Sequence, residues 1–321
     1  MTTVRDLGED ALIQLFVERR RAPSDVLVDN GDDAAAWRSF DGATVATIDS
    51  QVEGQHFLLG RTPSRAIGRK LAAVNLSDLA AMGATPRFAL LSVCVAESAA
   101  AEILREIGEG LRERLSDFDT FLVGGNVSRI EGPLVLDLTV LGQAPPNQLL
   151  LRAPSLPGDA VFVTGTLGAA RGGLEAQRAH AEHVAPKLVA RLVDPTPRVA
   201  AGRALASSGL VRAACDVSDG LGRDLVRLLS PHRLGATIDA LPLDPELVEY
   251  AGPELATQLA LSGGEDYELL FTAPDSTHST LTKLLAPLGV PLTRIGTVTR
   301  DPCFLFQGSP LPVGFVHFAA P

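Results

Sequence analysis

Acidic side chains stand beside glycine, serine or threonine at several separate points of this sequence. The segments are Gly31-Asp32-Asp33, Thr47-Ile48-Asp49, Asn75-Leu76-Ser77-Asp78, Asp216-Val217-Ser218-Asp219-Gly220 and Gly263-Gly264-Glu265-Asp266. Carboxylate and hydroxyl oxygens are ligands that Mg²⁺ prefers, and the ion shares its other positions between water and phosphates. Several aspartates on separate loops therefore suit metal-bridged phosphate chemistry, which needs positioning and charge neutralisation more than a covalent nucleophile.

The common motifs of other catalytic classes are absent. The chain has three lysines, Lys70, Lys187 and Lys283, and none follows a glycine, so there is no Walker A loop. The HRD and DFG triplets of protein kinases, the GxSxG elbow and the HExxH helix are missing as well. If the protein uses ATP, it does so by an uncommon route.

Two predicted elements position the first of these aspartates. In a strand ending at Asp49, the period of two puts Thr47 and Asp49 on one face and leaves Ile48 free to enter the core. A helix from Ser64 to about Met82, ended by Gly83, has an apolar stripe on which Asp78 falls. A carboxylate there needs a partner, and either a metal ion or an arginine would serve.

Ordinary structural explanations exist for each of these residues taken alone. Asp32 and Asp33 could close a turn, and Asp49 could cap a strand end. Asp216 and Asp219 could be N-caps of a helix that begins near Gly220. His56 and Glu265 are unremarkable outside a motif. We interpret His180 and His183, spaced i and i+3, as a solvated helix face.

The remaining pattern predicts an α/β or α+β protein of two domains. The first would contain an amphipathic helix at 9–20, a helix from Ser98 to about Leu115, a short strand at 121–123 and an alternating strand at 134–141. Four prolines between residues 143 and 158 mark a boundary, giving domains 1–145 and 146–321. The second would contain strands at 160–164, near Thr237 and at 267–272, followed by a βαβ-like stretch.

Composition limits the partners. The 321 residues carry a formal net charge of −10, which excludes a basic footprint for nucleic acid or anionic lipid. No apolar run is long enough to span a membrane, and the polar N-terminus is unlike a signal peptide. The three cysteines are far apart and form no CxxC pair. These features predict a cytoplasmic protein.

Seven motifs follow one another along the chain: GDDAA (31–35), TIDSQVEGQHF (47–57), GRKLAAVNLSDLAAMGATP (68–86), LVGGNVSR (122–129), PGDAVFVTGTLGAA (157–170), DVSDGL (216–221) and GGEDYELLFT (263–272). Taken in this order, they resemble the thiamine-monophosphate kinase family, which belongs to the PurM-like superfamily of aminoimidazole ribonucleotide synthetase. The resemblance covers nearly the whole chain. It implies a PurM-like fold, with an N-terminal domain that forms a β-barrel in a homodimer and an α+β C-terminal domain.

The resemblance also implies site residues, with ATP as co-substrate and several Mg²⁺ ions. The metal ligands would be Asp32, Thr47, Asp49, Asp78, Asp216 and Asp219. ATP would contact Gly125, Asn126, Arg152 and Ser218. Thiamine monophosphate would contact His56, Glu265 and Phe315, the last standing where a larger aromatic residue is common.

Two positions depart from the family pattern. The usual GGDT is Gly124-Gly125-Asn126-Val127 here, and Ile48 stands where the family usually has threonine. Asn126 still offers a carbonyl oxygen but lacks the charge of aspartate, and Ile48 removes a hydroxyl ligand from what the resemblance suggests is the same metal position. We therefore expect fewer or more weakly bound ions.

The implied activity is direct in-line transfer of a phosphoryl group from ATP to thiamine monophosphate, giving thiamine diphosphate and ADP. One alternative is another PurM-like enzyme, such as selenophosphate synthetase or the hydrogenase-maturation dehydratase. Neither the N-terminal cysteine of the former nor the C-terminal cysteine of the latter is present. The other alternative is a nucleotide-binding protein that has lost catalysis, which Asn126 and Ile48 keep open.

Overall fold

A computed structural model describes residues 2–30 and 33–312, and its contacts divide the chain into two compact units. Unit 1 contains residues 1–79 and 85–146, and unit 2 contains residues 80–84 and 147–321. Of the predicted site residues, Asp32 and Phe315 lie outside the described part. None of the helices in the described part combines the length and apolar character needed to cross a membrane.

Unit 1 is built around one sheet. Its helices are α1 (Val4–Leu7), α2 (Glu9–Gln14), α3 (Ser64–Ala81) and α4 (Ala101–Ser116), and its strands are β1 (Val26–Val28), β2 (Ala36–Trp37), β3 (Ala43–Val52), β4 (Thr85–Val95), β5 (Phe121–Arg129) and β6 (Val135–Ala144). Within the described residues the sheet has the order β3-β6-β4-β5, with β4 and β5 parallel and the other pairs antiparallel. β1 and β2 form a separate antiparallel pair.

The alternation predicted for residues 134–141 is confirmed in β6. Leu136, Leu138 and Val140 are fully buried, whereas Asp137 and Thr139 between them are only half-buried. One face of the sheet therefore packs on apolar side chains, and the other face carries the intervening polar ones.

Helix α3 differs from the expected amphipathic helix because it is buried on nearly all sides. From Lys70 to Ala81, every residue of the helix except Asp78 is buried. The predicted end is close to correct, because α3 stops at Ala81 and Gly83 has the left-handed φ of +69° that ends such a helix.

Glycines let α3 and α4 touch backbone to backbone. A Cβ added to Gly68 would lie 1.9 Å from the carbonyl oxygen of Ile107, and one added to Gly110 would lie 1.9 Å from that of Arg65. Side chains normally keep helix axes about 8–10 Å apart, so two glycines at facing positions permit a closer crossing.

Two predicted helices of unit 1 begin or end differently. The helix expected at 9–20 stops at Gln14, after which the chain turns, and only Leu12 of α2 is buried. The helix expected from Ser98 begins at Ala101 after an extended N-cap at Ala100. The short strand expected at 121–123 continues through the glycine pair to Arg129 as β5.

Unit 2 is a mixed sheet with helices around it. Its helices are α5 (Ala169–Arg178), α6 (Pro186–Val193), α7 (Val199–Ser208), α8 (Leu221–Leu229), α9 (Pro245–Ala251), α10 (Pro253–Ser262) and α11 (His278–Leu285), and its strands are β7 (Ala160–Thr164), β8 (Ala213–Asp216), β9 (Gly235–Ile238), β10 (Leu269–Ala273), β11 (Leu292–Thr299), β12 (Phe304–Phe306) and β13 (Ser309–Pro310).

The strand order in unit 2, for the part of the chain described, is β13-β12-β9-β11-β7-β10-β8. β7 and β10 lie side by side, and every residue of both is buried. Strands that are buried along their whole length in this way are covered on both faces of the sheet. The strand predicted at 267–272 begins later, at Leu269, because Tyr267 and Glu268 belong to an irregular segment.

Candidate active site

The aspartates of unit 1 lie where β3 meets α3. Thr47 Oγ1 donates a hydrogen bond to Asp78 Oδ2. The main-chain N–H of Asp49 donates to Asn75 Oδ1 at 3.0 Å, and Asn75 is completely buried. Thr47 and Asp49 thus share the face of β3 that packs on α3, as the period of two predicted. The structure brings Thr47, Asp49 and Asp78 together.

The loop after β3 presents His56. The N–H of Val52 donates to His56 Nδ1 at 3.0 Å, so Nδ1 is the acceptor and the neutral ring carries its proton on Nε2. The Lys70 ammonium, which is 2% exposed, lies 3.4 Å from the carbonyl oxygen of His56. The first contact holds the loop against the end of β3, and the second holds it against α3.

The prediction that Ile48 enters the core is wrong. Ile48 is 63% exposed and lies on the face of β3 opposite to α3. Strand register places side chains of that face in two rows across the sheet, Ser50-Asp137-Ser92-Asn126 and Ile48-Thr139-Leu90-Gly124. Helix α3 covers the other face of the sheet, so it does not cover Ile48.

A cavity of about 870 Å³ opens over these two rows. Ile48, Gly125 and Asn126 line it, together with Asp137 and Thr139 from β6. The two positions that depart from the family pattern, Ile48 and Asn126, therefore face the same space. That both changes affect one metal position stays a prediction.

The loop that follows β8 carries Asp216, Ser218 and Asp219, and it is shaped by a residue that the sequence analysis missed. Asp224 Oδ2 accepts hydrogen bonds from the N–H groups of Ser218 and Asp219 at 3.0 and 2.9 Å. Asp224 is 2% exposed. Burial raises its pKa to about 6, although the two hydrogen bonds act to lower it. The carboxylate holds the loop in a tight turn.

Asp216 and Asp219 are not helix N-caps. The N-cap of α8 is Gly220, which has no side chain to offer. Asp219 instead forms ion pairs with Arg223 and Arg227, one and two turns into the helix. Asp224 follows the DVSDGL motif by three residues and is the acidic residue in the first turn of α8, a position that does not by itself indicate its bonds to the loop.

Arg152, a predicted ATP contact, lies near the same strand end. Burial raises the pKa of the Cys215 thiol well above its ordinary value, and the charges of Asp224 and Asp216 add to this rise, while Arg152 and Arg227 oppose it. The Arg152 side chain is exposed, and its carbonyl oxygen lies 2.9 Å from His232 Nε2.

Glu265 lies in a segment with an unusual backbone. Glu265 and Tyr267 have φ values of +68° and +51°, a region that costs a residue with a side chain about 1–2 kcal/mol. The N–H of Glu265 donates to Ser218 O at 2.8 Å, and the N–H of Tyr267 donates to Val217 O at 2.9 Å. The structure thereby brings Glu265 beside Ser218.

Burial raises the pKa of Asp266 to about 7, with the Glu268 charge adding to the rise, while the N–H groups of Gly168 and Ala170 and the Arg191 charge oppose it. The folded protein thus retains a proton that the unfolded chain releases above about pH 4. We expect the free energy of unfolding to fall by up to about 4 kcal/mol as the pH rises from 4 to 7, and not further from this group above 7.

Thermal denaturation at several pH values in EDTA tests this expectation. The Asp266→Asn variant has no proton to titrate, so its melting temperature should fall less between pH 5 and pH 7 than that of the wild type. Equal falls in the two proteins would contradict the prediction.

No three carboxylate, imidazole or thiol groups within residues 2–30 and 33–312 lie close enough together to hold a metal ion on their own. The described ligand candidates instead form two groups, one around Asp78 in unit 1 and one around Asp219 in unit 2. All of their donor atoms are oxygens, which fits Mg²⁺, an ion that usually takes one or two protein carboxylates and completes its shell with water and phosphates.

Known proteins resemble the whole chain. Residues 31–144 match the family described as AIR synthase related protein, N-terminal domain, and residues 157–305 match AIR synthase related protein, C-terminal domain. The thiamine-monophosphate kinase of Escherichia coli strain K12 is 39% identical to this chain over an alignment of 329 positions. The alignment covers 98% of this chain and 99% of that protein. The chain belongs to the thiamine-monophosphate kinase family.

Solved structures of thiamine-monophosphate kinase family members agree. The enzyme from Stenotrophomonas maltophilia K279a has a TM-score of 0.83 and 36% identity, covering 94% of this chain and 96% of its own. AaThiL complexed with AMPPCP and TMP has a TM-score of 0.77 and 29% identity, with 99% of both chains covered. The predicted family and the mixed α/β, two-domain PurM-like fold are confirmed, while the dimeric barrel stays a prediction.

A hydrogenase-maturation protein is similar in fold. HypE of E. coli has a TM-score of 0.75 at 19% identity, covering 97% of this chain and 97% of its own.

Proposed function

We propose that this chain transfers the γ-phosphoryl group of ATP to thiamine monophosphate, forming thiamine diphosphate and ADP. The observation that carries the proposal is the end-to-end likeness to AaThiL, whose structure is described as complexed with AMPPCP and TMP. The likeness covers 99% of this chain and 99% of that one.

The reaction needs little from the protein beyond positioning. An oxygen of the monophosphate attacks the γ-phosphorus in line, and the bond from that phosphorus to ADP breaks. The attacking phosphate has a second pKa of about 6 and is mostly dianionic at neutral pH, so no strong base is required. The main obstacle is repulsion between two anionic groups.

Bound Mg²⁺ would supply positive charge that reduces this repulsion. The residues that would hold it are Asp32, Thr47, Asp49, Asp78, Asp216 and Asp219. The Thr47–Asp78 contact and the Asn75 bond to the Asp49 main chain support the first group, because they hold oxygen donors side by side. The turn around Asp224 supports the second group.

The proposed contacts with ATP and with thiamine monophosphate are those that the resemblance implies. Gly125, Asn126, Arg152 and Ser218 would contact ATP, and His56, Glu265 and Phe315 would contact thiamine monophosphate. The hydrogen bond of Glu265 N–H to Ser218 O supports the pairing of a nucleotide contact with an acceptor contact.

The assembly and the location are part of the proposal. A homodimer would cover the open face of the β3-β6-β4-β5 sheet, on which Ile48 is exposed. The domains would be residues 1–145 and 146–321, a division supported by the contact units that change at residues 146 and 147. A cytoplasmic location is also proposed, because the three cysteines lie far apart and form no CxxC pair, as fits a reducing compartment.

The deciding experiment measures ADP and thiamine diphosphate formation from ATP and Mg²⁺, with and without thiamine monophosphate. Acceptor-dependent formation of both products in equal amounts supports the proposal. ATP binding without acceptor-dependent turnover, even at high Mg²⁺, would instead identify a nucleotide-binding protein that has lost catalysis.

The two departures from the family pattern give a prediction about metal dependence. Ile48→Thr combined with Asn126→Asp adds a hydroxyl and a carboxylate to one cavity, so the Mg²⁺ concentration for half-maximal activity should fall by about tenfold. A Mg²⁺ titration of ADP formation at fixed ATP measures this. Ala46→Thr, which adds the same hydroxyl on the same strand face outside the cavity, is the matched control and should change nothing. An unchanged Mg²⁺ dependence in the double variant would contradict the hypothesis that residues 48 and 126 belong to one metal position.

A further inference from the structure

Four consecutive residues after the Gly263-Gly264 pair are anchored alternately by main chain and side chain. Glu265 and Tyr267 are anchored by their N–H groups, as described above. Asp266 and Glu268 are anchored by their carboxylates, which point into the unit and are almost completely buried. Each of the four residues from 265 to 268 is therefore bound to a partner that is distant in sequence.

The carboxylate of Asp266 is bound at the start of α5. Its Oδ2 accepts from the N–H of Gly168 at 2.8 Å, and its Oδ1 accepts from the N–H of Ala170 at 3.4 Å. These N–H groups have no partner within the helix, so the carboxylate satisfies them and is stabilised by the helix dipole.

The carboxylate of Glu268, which is 0% exposed, is bound by three side chains. Arg198 donates from Nε and Nη2 at 2.7 and 2.5 Å in a two-pronged contact. Arg191 Nη2 lies 3.1 Å away, and Thr164 Oγ1 donates at 2.7 Å. Gly165 leaves the necessary room, since an added Cβ would lie 2.0 Å from Glu268 Oε1.

We propose that Asp266 and Glu268 are positioning residues that hold Glu265 in its left-handed backbone conformation and so direct its carboxylate to the acceptor. This inference rests on the proposed function for the identity of the acceptor. A left-handed residue points its side chain differently from an extended one, and such a conformation persists only where the surroundings over-determine it. The two buried carboxylates, one on each side of Tyr267, provide that determination.

The expected result is a selective loss of acceptor affinity. Glu268→Gln and Asp266→Asn should each raise the KM for thiamine monophosphate by roughly tenfold or more. This fold-increase should be at least about five times the fold-increase in the KM for ATP. A purely structural role would lower the folded fraction and kcat without this difference. Two variants are used because the loss of a buried ion-pair partner in Glu268→Gln also destabilises the fold.

Asp159→Asn is the matched control. Asp159 is also a buried carboxylate paired with an arginine, Arg212, but it lies at the other end of β7 from Thr164. This variant should lower the melting temperature and leave the KM for thiamine monophosphate within about twofold of the wild type.

Hydrogen–deuterium exchange supplies a readout that does not depend on activity. The N–H groups of Glu265 and Tyr267 should exchange at least about tenfold faster in Glu268→Gln and Asp266→Asn than in Asp159→Asn. Unchanged exchange in both variants, or a KM for thiamine monophosphate that rises no more than in Asp159→Asn, would overturn the proposal. If the wild type shows no acceptor-dependent turnover, the proposed function fails, and with it the part of the inference that concerns the acceptor. The exchange rates then decide whether the two carboxylates hold the segment.

Discussion

Asp78→Asn is expected to lower kcat/KM for acceptor-dependent ADP formation by about 10³-fold or more, a loss typical of removing one preorganised electrostatic group. Asp78 is the one accessible residue in an otherwise buried stretch of α3, and its carboxylate receives the Thr47 hydroxyl. An asparagine side chain keeps the shape and can still accept that hydrogen bond. The change therefore removes the negative charge that Mg²⁺ requires and little else.

The comparison needs a matched loss of charge elsewhere. Asp41→Asn removes one carboxylate from an exposed turn just before β3, and its activity should equal that of the wild type. Steady-state assays at saturating and at limiting Mg²⁺ separate a weakened metal site from a damaged one, because excess ion restores only the former. If Asp78→Asn keeps more than about a tenth of wild-type kcat/KM, Asp78 is not a metal ligand of the reaction.

Gly68→Ala is expected to destabilise unit 1 by more than about 3 kcal/mol, at the upper end of overpacking effects. The new methyl group would lie 1.9 Å from the carbonyl oxygen of Ile107, and the nearest atoms are all main chain. Main-chain atoms cannot rotate away, so α3 and α4 must separate. The separation would disturb the contacts of both helices with their neighbours.

Trp37 is the only tryptophan in the sequence and lies in unit 1, with its ring centroid 5.1 Å from that of Phe88. Its fluorescence during urea denaturation therefore measures unit 1. Gly60→Ala is the control, since Gly60 has a φ of +83° and no atom within 4 Å of an added Cβ. It should cost about 1 kcal/mol, from backbone strain alone. A Gly68→Ala variant no less stable than Gly60→Ala would show that the helices accommodate the methyl group.

Local pattern was sufficient to predict those features that depend on neighbours in sequence. The alternation in β6, the facing of Thr47 and Asp49, and the end of α3 at Gly83 each follow from periodicity or from one residue's backbone preference. Motif order was sufficient for the family and the fold. Both kinds of information are contained in short stretches of the chain.

Several of the differences concern groups whose partners are distant in sequence. Whether Ile48 is covered depends on what lies over its side of the sheet, and its own strand carries no information about that. Glu268 meets Arg198 across 70 residues, and Asp266 meets Gly168 across 98. Asp224 shows the limit at shorter range, since a first-turn acid predicts favourable charge and not a bond to the preceding loop.

The alternation along β3 also constrains how this chain can vary in length. Thr47 and Asp49 lie towards α3, while Ile48 and Ser50 lie towards the other side, so the two faces of one strand meet two different environments. Insertion or deletion of a single residue within it would exchange the two sets of side chains at once. Changes of length tolerated by the protein must therefore fall in the loops that flank the strand, and the strand itself can change only by substitution.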